Sequence, residues 1–153
     1  MVLLRHVSRD AHDNEGLLRA CLSIAKRHHT LCFLHGDAAK AHALGFDGVH
    51  WRAAQLDGQV RACGLLQAAS CHSPRELQLA ASQGVDLAVL SPVRSTPSHP
   101  ERCALGWAGF ASQVIQANIP VYALGGMTPC DLGQARQFGA HGVAGIRAFW
   151  PER

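Results

Sequence analysis

Charges and aromatic rings are scarce in this chain. Charged residues make up 16% and aromatic residues 6% of its 153 positions, with a single tyrosine. Low charge beside 48% hydrophobic content excludes an intrinsically disordered chain. No apolar run approaches the ~20 residues of a membrane-spanning helix, and no signal peptide is visible. The net charge of +3 is spread along the chain, so nucleic acid is not implied, whereas a small anion pocket would use the excess. None of the six cysteines forms a C-x-x-C pair, and the ten histidines supply neither H-x-x-x-H nor H-E-x-x-H. Zinc motifs are therefore missing, and the cysteines read as reduced thiols of a cytoplasmic protein. His28-His29 suits the C-terminal end of a helix. No G-x-G-x-x-G follows the first strand signal, which argues against a dinucleotide-binding sheet.

What is present begins with Val121-Tyr-Ala-Leu-Gly-Gly-Met-Thr-Pro-Cys-Asp-Leu. Four apolar residues predict a buried strand, and Gly125-Gly126 allows a sharp turn and close approach to a ligand. Thr128 is a good N-cap and Pro129 suits the first helical position. A strand, a glycine turn and a fresh helix N-terminus make an anion site, because unpaired N–H groups and the helix dipole converge there.

One joint recurs three times: Leu44-Gly-Phe-Asp-Gly-Val-His, Gln83-Gly-Val-Asp-Leu-Ala-Val and Phe138-Gly-Ala-His-Gly-Val-Ala. Each closes a helix with glycine and enters an apolar strand. Repeated helix–Gly–strand joints imply β-α units and a parallel sheet. Strands are predicted near 2–5, 31–35, 48–51, 65–71, 86–91, 120–124 and 142–146, and helices near 14–29, 37–44, 74–83, 106–117 and 129–138. Ser73-Pro74-Arg75-Glu76 is a capping-box signature. The connection 51–63 has room for a short helix only, and the Pro/Ser-rich stretch 92–105 reads as a long, lid-like loop. The fold class expected is α/β, a TIM-type β/α barrel in a single domain over 1–153. An eight-stranded barrel typically takes about 250 residues, so the barrel is expected to lack its first strand and last helix. An exposed seam between 2–5 and 142–146, and with it a homodimer or poor solubility, follows from that expectation.

Taken together, these motifs resemble the thiamin phosphate synthase / TenI family of small β/α barrels. The resemblance rests on Leu4-Arg5, Leu44 to His50, Ser70-Cys-His-Ser, Ser91 to Pro100, Ala123 to Pro129 and Gly139 to Ala144. The ending Ile146-Arg-Ala-Phe-Trp is similar to the barrel found downstream of a Nudix hydrolase domain in some bacterial fusions, which implies a covalently linked Nudix partner outside this chain.

Synthases of this family join a pyrimidine pyrophosphate to a thiazole phosphate with Mg²⁺. Against their pattern, Arg5 is kept while Leu3 and Val7 replace Gln and Lys. His35-Gly36 stands for Asn-Asp, Gln55 for a magnesium carboxylate, and His99 for a lysine. The metal end of the site is thus depleted, and no metal residue is assigned. Mg²⁺ is implied only if the chain is a synthase.

TenI-like members move protons on a thiazole carboxylate phosphate without metal, and their histidine corresponds to His72. The resemblance implies His72 as the catalytic base. It implies phosphate contacts from Arg5, Ser70, Thr96, Ser98, His99, Gly125, Gly126, Ile146 and Arg147. The ligand expected is a small phosphorylated thiazole or pyrimidine, with neither nucleic acid nor membrane as partner. Metal-independent thiazole tautomerisation is the leading expectation. Thiamin phosphate synthase and a non-catalytic binding domain of a Nudix fusion are the alternatives.

Overall fold

A computed structural model of the chain describes residues 1–5, 11–56, 64–96 and 103–150. Seven strands form one sheet in sequential order: β1 (Val2–Leu4), β2 (Cys32–His35), β3 (Gly48–Arg52), β4 (Leu66–Cys71), β5 (Leu87–Leu90), β6 (Val121–Leu124) and β7 (Gly142–Ala144). Every pairing is parallel. Five helices supply crossovers: α1 (Ala11–Arg27), α2 (Ala38–Leu44), α3 (Pro74–Ser82), α4 (Gly106–Val114) and α5 (Leu132–Gln137). The sheet curls into an incomplete β/α barrel. In the connection after β3, the described helix is the single 3₁₀ turn Ala53–Gln55, as the weak patterning there predicts. Several boundaries are tighter than expected. Thus α4 ends at Val114, β7 ends at Ala144, and the helix predicted near 129–138 opens as a 3₁₀ turn, Pro129–Asp131.

The three recurring joints have a common mechanism. Gly45, Gly84 and Gly139 all sit at positive φ (+77°, +70°, +87°), the left-handed conformation that stops a helix at low cost only for glycine. The following strand is then tied to the preceding one. Asp47 N–H donates to the Cys32 carbonyl and its carboxylate accepts from the Cys32 N–H, at 3.0 and 2.8 Å. Asp86 repeats both bonds with Gln67, at 2.9 and 2.7 Å. In the third joint His141 N–H donates to the Val121 carbonyl, and its ring packs against Tyr122. The sequence repeat is a register clamp, used on alternate strand pairs.

Alternation separates the two faces of the sheet. Cys32, Leu34, Val49, Trp51, Ala69, Cys71, Ala88 and Leu90 join the cluster that packs under the helices. Their neighbours of opposite parity turn into the barrel. At the N-terminal end of the strands the interior is filled by two aromatic–glycine pairs. Phe33 lies opposite Gly48 and Tyr122 opposite Gly142. Each ring occupies the place where a glycine Cβ would stand. Phe33 is 1% exposed, a burial worth about 1.5–3 kcal/mol. At the C-terminal end the inward set turns polar, and the site lies there.

Candidate functional site

Parallel strands in a barrel deliver their C-terminal residues to one mouth, where the βα loops gather. Here that mouth receives Arg5 after β1, His35 at the end of β2, His50 and Arg52 on β3, Ser70 on β4 with His72 just beyond it, and Ser91 after β5. Arg94 follows β5, and Arg147 opens the 3₁₀ turn Arg147–Phe149 after β7. Arginines therefore follow or end β1, β3, β5 and β7, which biases the mouth toward anions.

His72 is placed by a helix cap. Ser73 caps α3 through its hydroxyl, which accepts from the Glu76 N–H at 3.3 Å. Glu76 does not return the bond to Ser73, as a capping box would; its carboxylate accepts the His72 N–H instead. The cap thus holds the backbone of the candidate base. The His72 ring is held from the next strand, with Nδ1 at 2.9 Å from the Ser91 carbonyl and 3.2 Å from Ser91 Oγ. A carbonyl can only accept, so Nδ1 carries the hydrogen, and the lone pair of the neutral ring is then on Nε2.

A second group lies beside it. Ser70 Oγ is 3.0 Å from His50 Nε2, and His50 Nδ1 is 3.1 Å from His35 Nδ1. Burial, followed by the neighbouring His35 and Arg5, pushes His50 down to about 4, and burial with Arg5 and Arg52 pushes His35 down as well. Both shifts favour the neutral ring at pH 7. The sequence reading named Ser70 and missed His35 and His50 as a pair. The available signal was that each sits at the inward parity of its strand.

Gly125 and Gly126 adopt positive φ (+102° and +66°). A Cβ on Gly125 would meet the Pro92 Cα at 2.8 Å, and one on Gly126 would meet the Arg94 Cβ at 2.9 Å. The glycines thus admit the segment Pro92–Arg94, whose Val93 and Arg94 N–H groups donate to the Leu124 and Gly125 carbonyls. That pairing uses carbonyls and leaves the Gly125 and Gly126 N–H groups out of it. The adjacent helix start is already capped: Thr128 donates through N and Oγ1 to Asp131 Oδ2, both at 2.8 Å. Arg94 closes this group, with Nη2 at 2.8 Å from Asp131 Oδ1. Arg94 was not among the residues the sequence singled out.

The structure brings Arg5, Ser70, His72, Gly125 and Gly126 to one end of the sheet, with Ser91–Arg94 as the spine that joins the histidine group to the glycine turn. Thr96 continues that loop, while Ser98 and His99 lie outside the described residues. Ile146 and Arg147 are exposed after β7. Of the acidic residues nearest a metal position, Asp37 caps α2 by accepting from the Lys40 N–H at 2.8 Å. Gln55 accepts from the Arg52 N–H at 3.0 Å with its amide nitrogen against Gly36. Among the described residues no group of three or more His, Cys, Asp or Glu side chains could hold a metal ion. The donors at this mouth are imidazole, guanidinium, hydroxyl and amide, a poor set for a hard cation such as Mg²⁺. A groove of about 780 Å³ between α4 and α5, lined by Val114, Ile119, Phe138 and His141, lies at the opposite end and contains none of these residues.

Fold and mouth together define a β/α-barrel protein whose strand C-termini gather histidine, serine and arginine side chains. The sequence model of the family described as Thiamine monophosphate synthase matches residues 1–149, and the chain belongs to that family. It is 31% identical over 153 residues to a thiamine-phosphate synthase of Thermus thermophilus, covering 97% of this chain and 74% of that protein. A thiamine-phosphate synthase of Prochlorococcus marinus is 27% identical over 159 residues, 97% of this chain and 45% of the relative. Among solved structures, thiamine phosphate pyrophosphorylase from Pyrococcus furiosus shares the fold, with a TM-score of 0.76 at 20% identity over 94% of this chain and 70% of that one.

Proposed function

We propose that the chain carries out metal-independent proton transfer on a small phosphorylated thiazole, the TenI-type reaction, with His72 as base. The observation that carries this reading is the His72–Ser91 carbonyl bond. It fixes the tautomer and leaves Nε2 basic, which is what a general base requires. Arg5, Ser70, Thr96, Gly125, Gly126 and Arg147 would hold the phosphate, with Ser98, His99 and Ile146 completing the set. The free thiols of Cys21, Cys32, Cys71, Cys103 and Cys130 support a reducing, cytoplasmic setting. A Nudix domain linked to this barrel is part of the proposal, and the gene sequence upstream of the Met1 codon tests it.

A second reading, thiamin phosphate synthesis from a pyrimidine pyrophosphate and a thiazole phosphate, is favoured by the names of the relatives. It needs Mg²⁺ to neutralise the leaving pyrophosphate, and the residues Asp37 and Gln55 are otherwise engaged. One experiment separates the two. Thiazole carboxylate phosphate is followed by ultraviolet absorbance, beside a coupled assay for thiamin phosphate with and without magnesium. Tautomer conversion lost in His72→Asn supports the first reading. Robust magnesium-dependent synthesis replaces it with the second, and silence in both assays points to a binding domain.

A further inference from the structure

The Ser70, His50 and His35 side chains form a continuous hydrogen-bonded chain from the mouth across three strands. Ser70 is half-buried, His50 is 5% exposed, and His35 is half-buried at the end of β2. The links are 3.0 Å from Ser70 Oγ to His50 Nε2 and 3.1 Å between the two Nδ1 atoms. His72 follows Ser70 by two positions, just past the end of β4, so the hydroxyl and the candidate base lie at the same end of the sheet.

We propose that this chain is a neutral proton relay that makes Ser70 the general acid opposite His72, in place of the phosphate contact given to Ser70 above. The proposal rests on the proton-transfer reading above. In the forward step the Ser70 O–H bond breaks as the substrate atom takes the proton. His50 Nε2–H passes its proton to Ser70 Oγ, His35 Nδ1–H passes its own to His50 Nδ1, and a solvent water protonates His35 Nε2. The hydroxide so formed is neutralised by the proton that His72 has taken from the substrate. Neither His50 nor His35 becomes an imidazolium; His72 is one only while it holds the substrate's proton, and the substrate gains one proton and loses one. Between turnovers the same transfers run backwards, with a water at Ser70 in place of substrate.

Three features fit this use. A relay of neutral rings needs one N–H and one lone pair on each; burial favours that form in both histidines, helped by His35 and Arg5 at His50 and by Arg5 and Arg52 at His35. The Nδ1···Nδ1 contact requires one ring to donate and the other to accept, so the tautomers of the two rings are coupled. Finally, a hydroxyl that accepts from His50 Nε2–H has its own hydrogen free to point at a ligand.

The test uses the whole chain with ¹⁵N-labelled histidine and thiazole carboxylate phosphate as substrate. In the wild type, nitrogen–nitrogen coupling across the two Nδ1 atoms is expected, with neither ring titrating near 6.5. Ser70→Ala should slow conversion about 100-fold and His50→Gln similarly, the usual range for a lost acid. His35→Asn should remove the coupling and lower kcat with little change in KM, while circular dichroism shows an intact fold. Independent titration of the two histidines near 6.5 would overturn the relay. Conversion abolished by His72→Asn but unchanged in His35→Asn and His50→Gln would overturn the relay alone. A wild type that shows the coupling and no conversion would overturn the proton-transfer reading and the relay's catalytic use together.

Discussion

Arg94, in the loop after β5, places its guanidinium 2.8 Å from the Asp131 carboxylate, which in turn caps the start of the helix after β6. A loop and a helix 37 residues apart in sequence are thereby locked across the candidate phosphate turn. The Arg94 hydrogen bond, with those from Thr128, holds the Asp131 carboxyl below its usual range. A depressed carboxylate stabilises the fold above its unfolded pKa near 3.8 and loses that contribution as pH falls through the lower folded value. Arg94→Met should cost roughly 1 kcal/mol or less at pH 7, because the pair is partly solvated. Between pH 7 and pH 3 the variant should lose less stability than the wild type. Urea unfolding at both pH values decides it, and parallel slopes would remove Asp131 from the account.

Gly125→Ala combines a forbidden φ with overlap against the Pro92 backbone. The expected loss is about 1–3 kcal/mol for the conformation, before the displaced loop is counted. Gly126→Asp adds a negative charge to the same turn and should abolish phosphate binding. Calorimetry with inorganic phosphate that finds unchanged affinity would remove this turn from the site.

His50 is held neutral, with a folded pKa of about 4 against an ordinary 6.5. Protons therefore favour the unfolded chain. Stability is complete above pH 6.5 and declines as pH falls toward 4, by a total on the order of 3 kcal/mol. His50→Gln should flatten that slope in denaturant titrations at pH 7.5 and 4.5. An equally steep decline in the variant would assign the effect to other groups.

Among the described residues, β1 and β7 have no strand on their outer edges. Val2 is 43% exposed, Leu3 38%, Ile146 67% and Trp150 72%. Unpaired edges beside apolar side chains promote association. Light scattering should show a dimer that forms with rising concentration, and a strict monomer at every concentration would count against it.

Much of this architecture is written locally. The positive-φ glycines at 45, 84 and 139 and the alternation around Val49 and Ala69 are short-range signals, so strand order was legible. Gly125-Gly126 was legible as a turn, but its cause was not, because the atoms that forbid a Cβ belong to Pro92 and Arg94. The same limit hid Arg94, whose partner is fixed only by tertiary packing, and the His35–His50 contact, which depends on the β2–β3 register. Glu76 shows a finer failure: the capping signature was right about Ser73, yet its carboxylate found the N–H of His72.

The strand order has a consequence for how the chain is made. Each strand pairs only with the strands before and after it in sequence, so no pairing waits for a segment synthesised much later. Each closure spans about one β-α unit, so its entropy cost does not grow as the sheet is extended. As the chain leaves the ribosome, each new β-α unit meets a template already in place, with Asp47 or Asp86 to lock its register. Assembly can then follow the direction of translation. The His35–His50–Ser70 line, drawn from β2 to β4, would be in place before the Gly125-Gly126 turn has been synthesised.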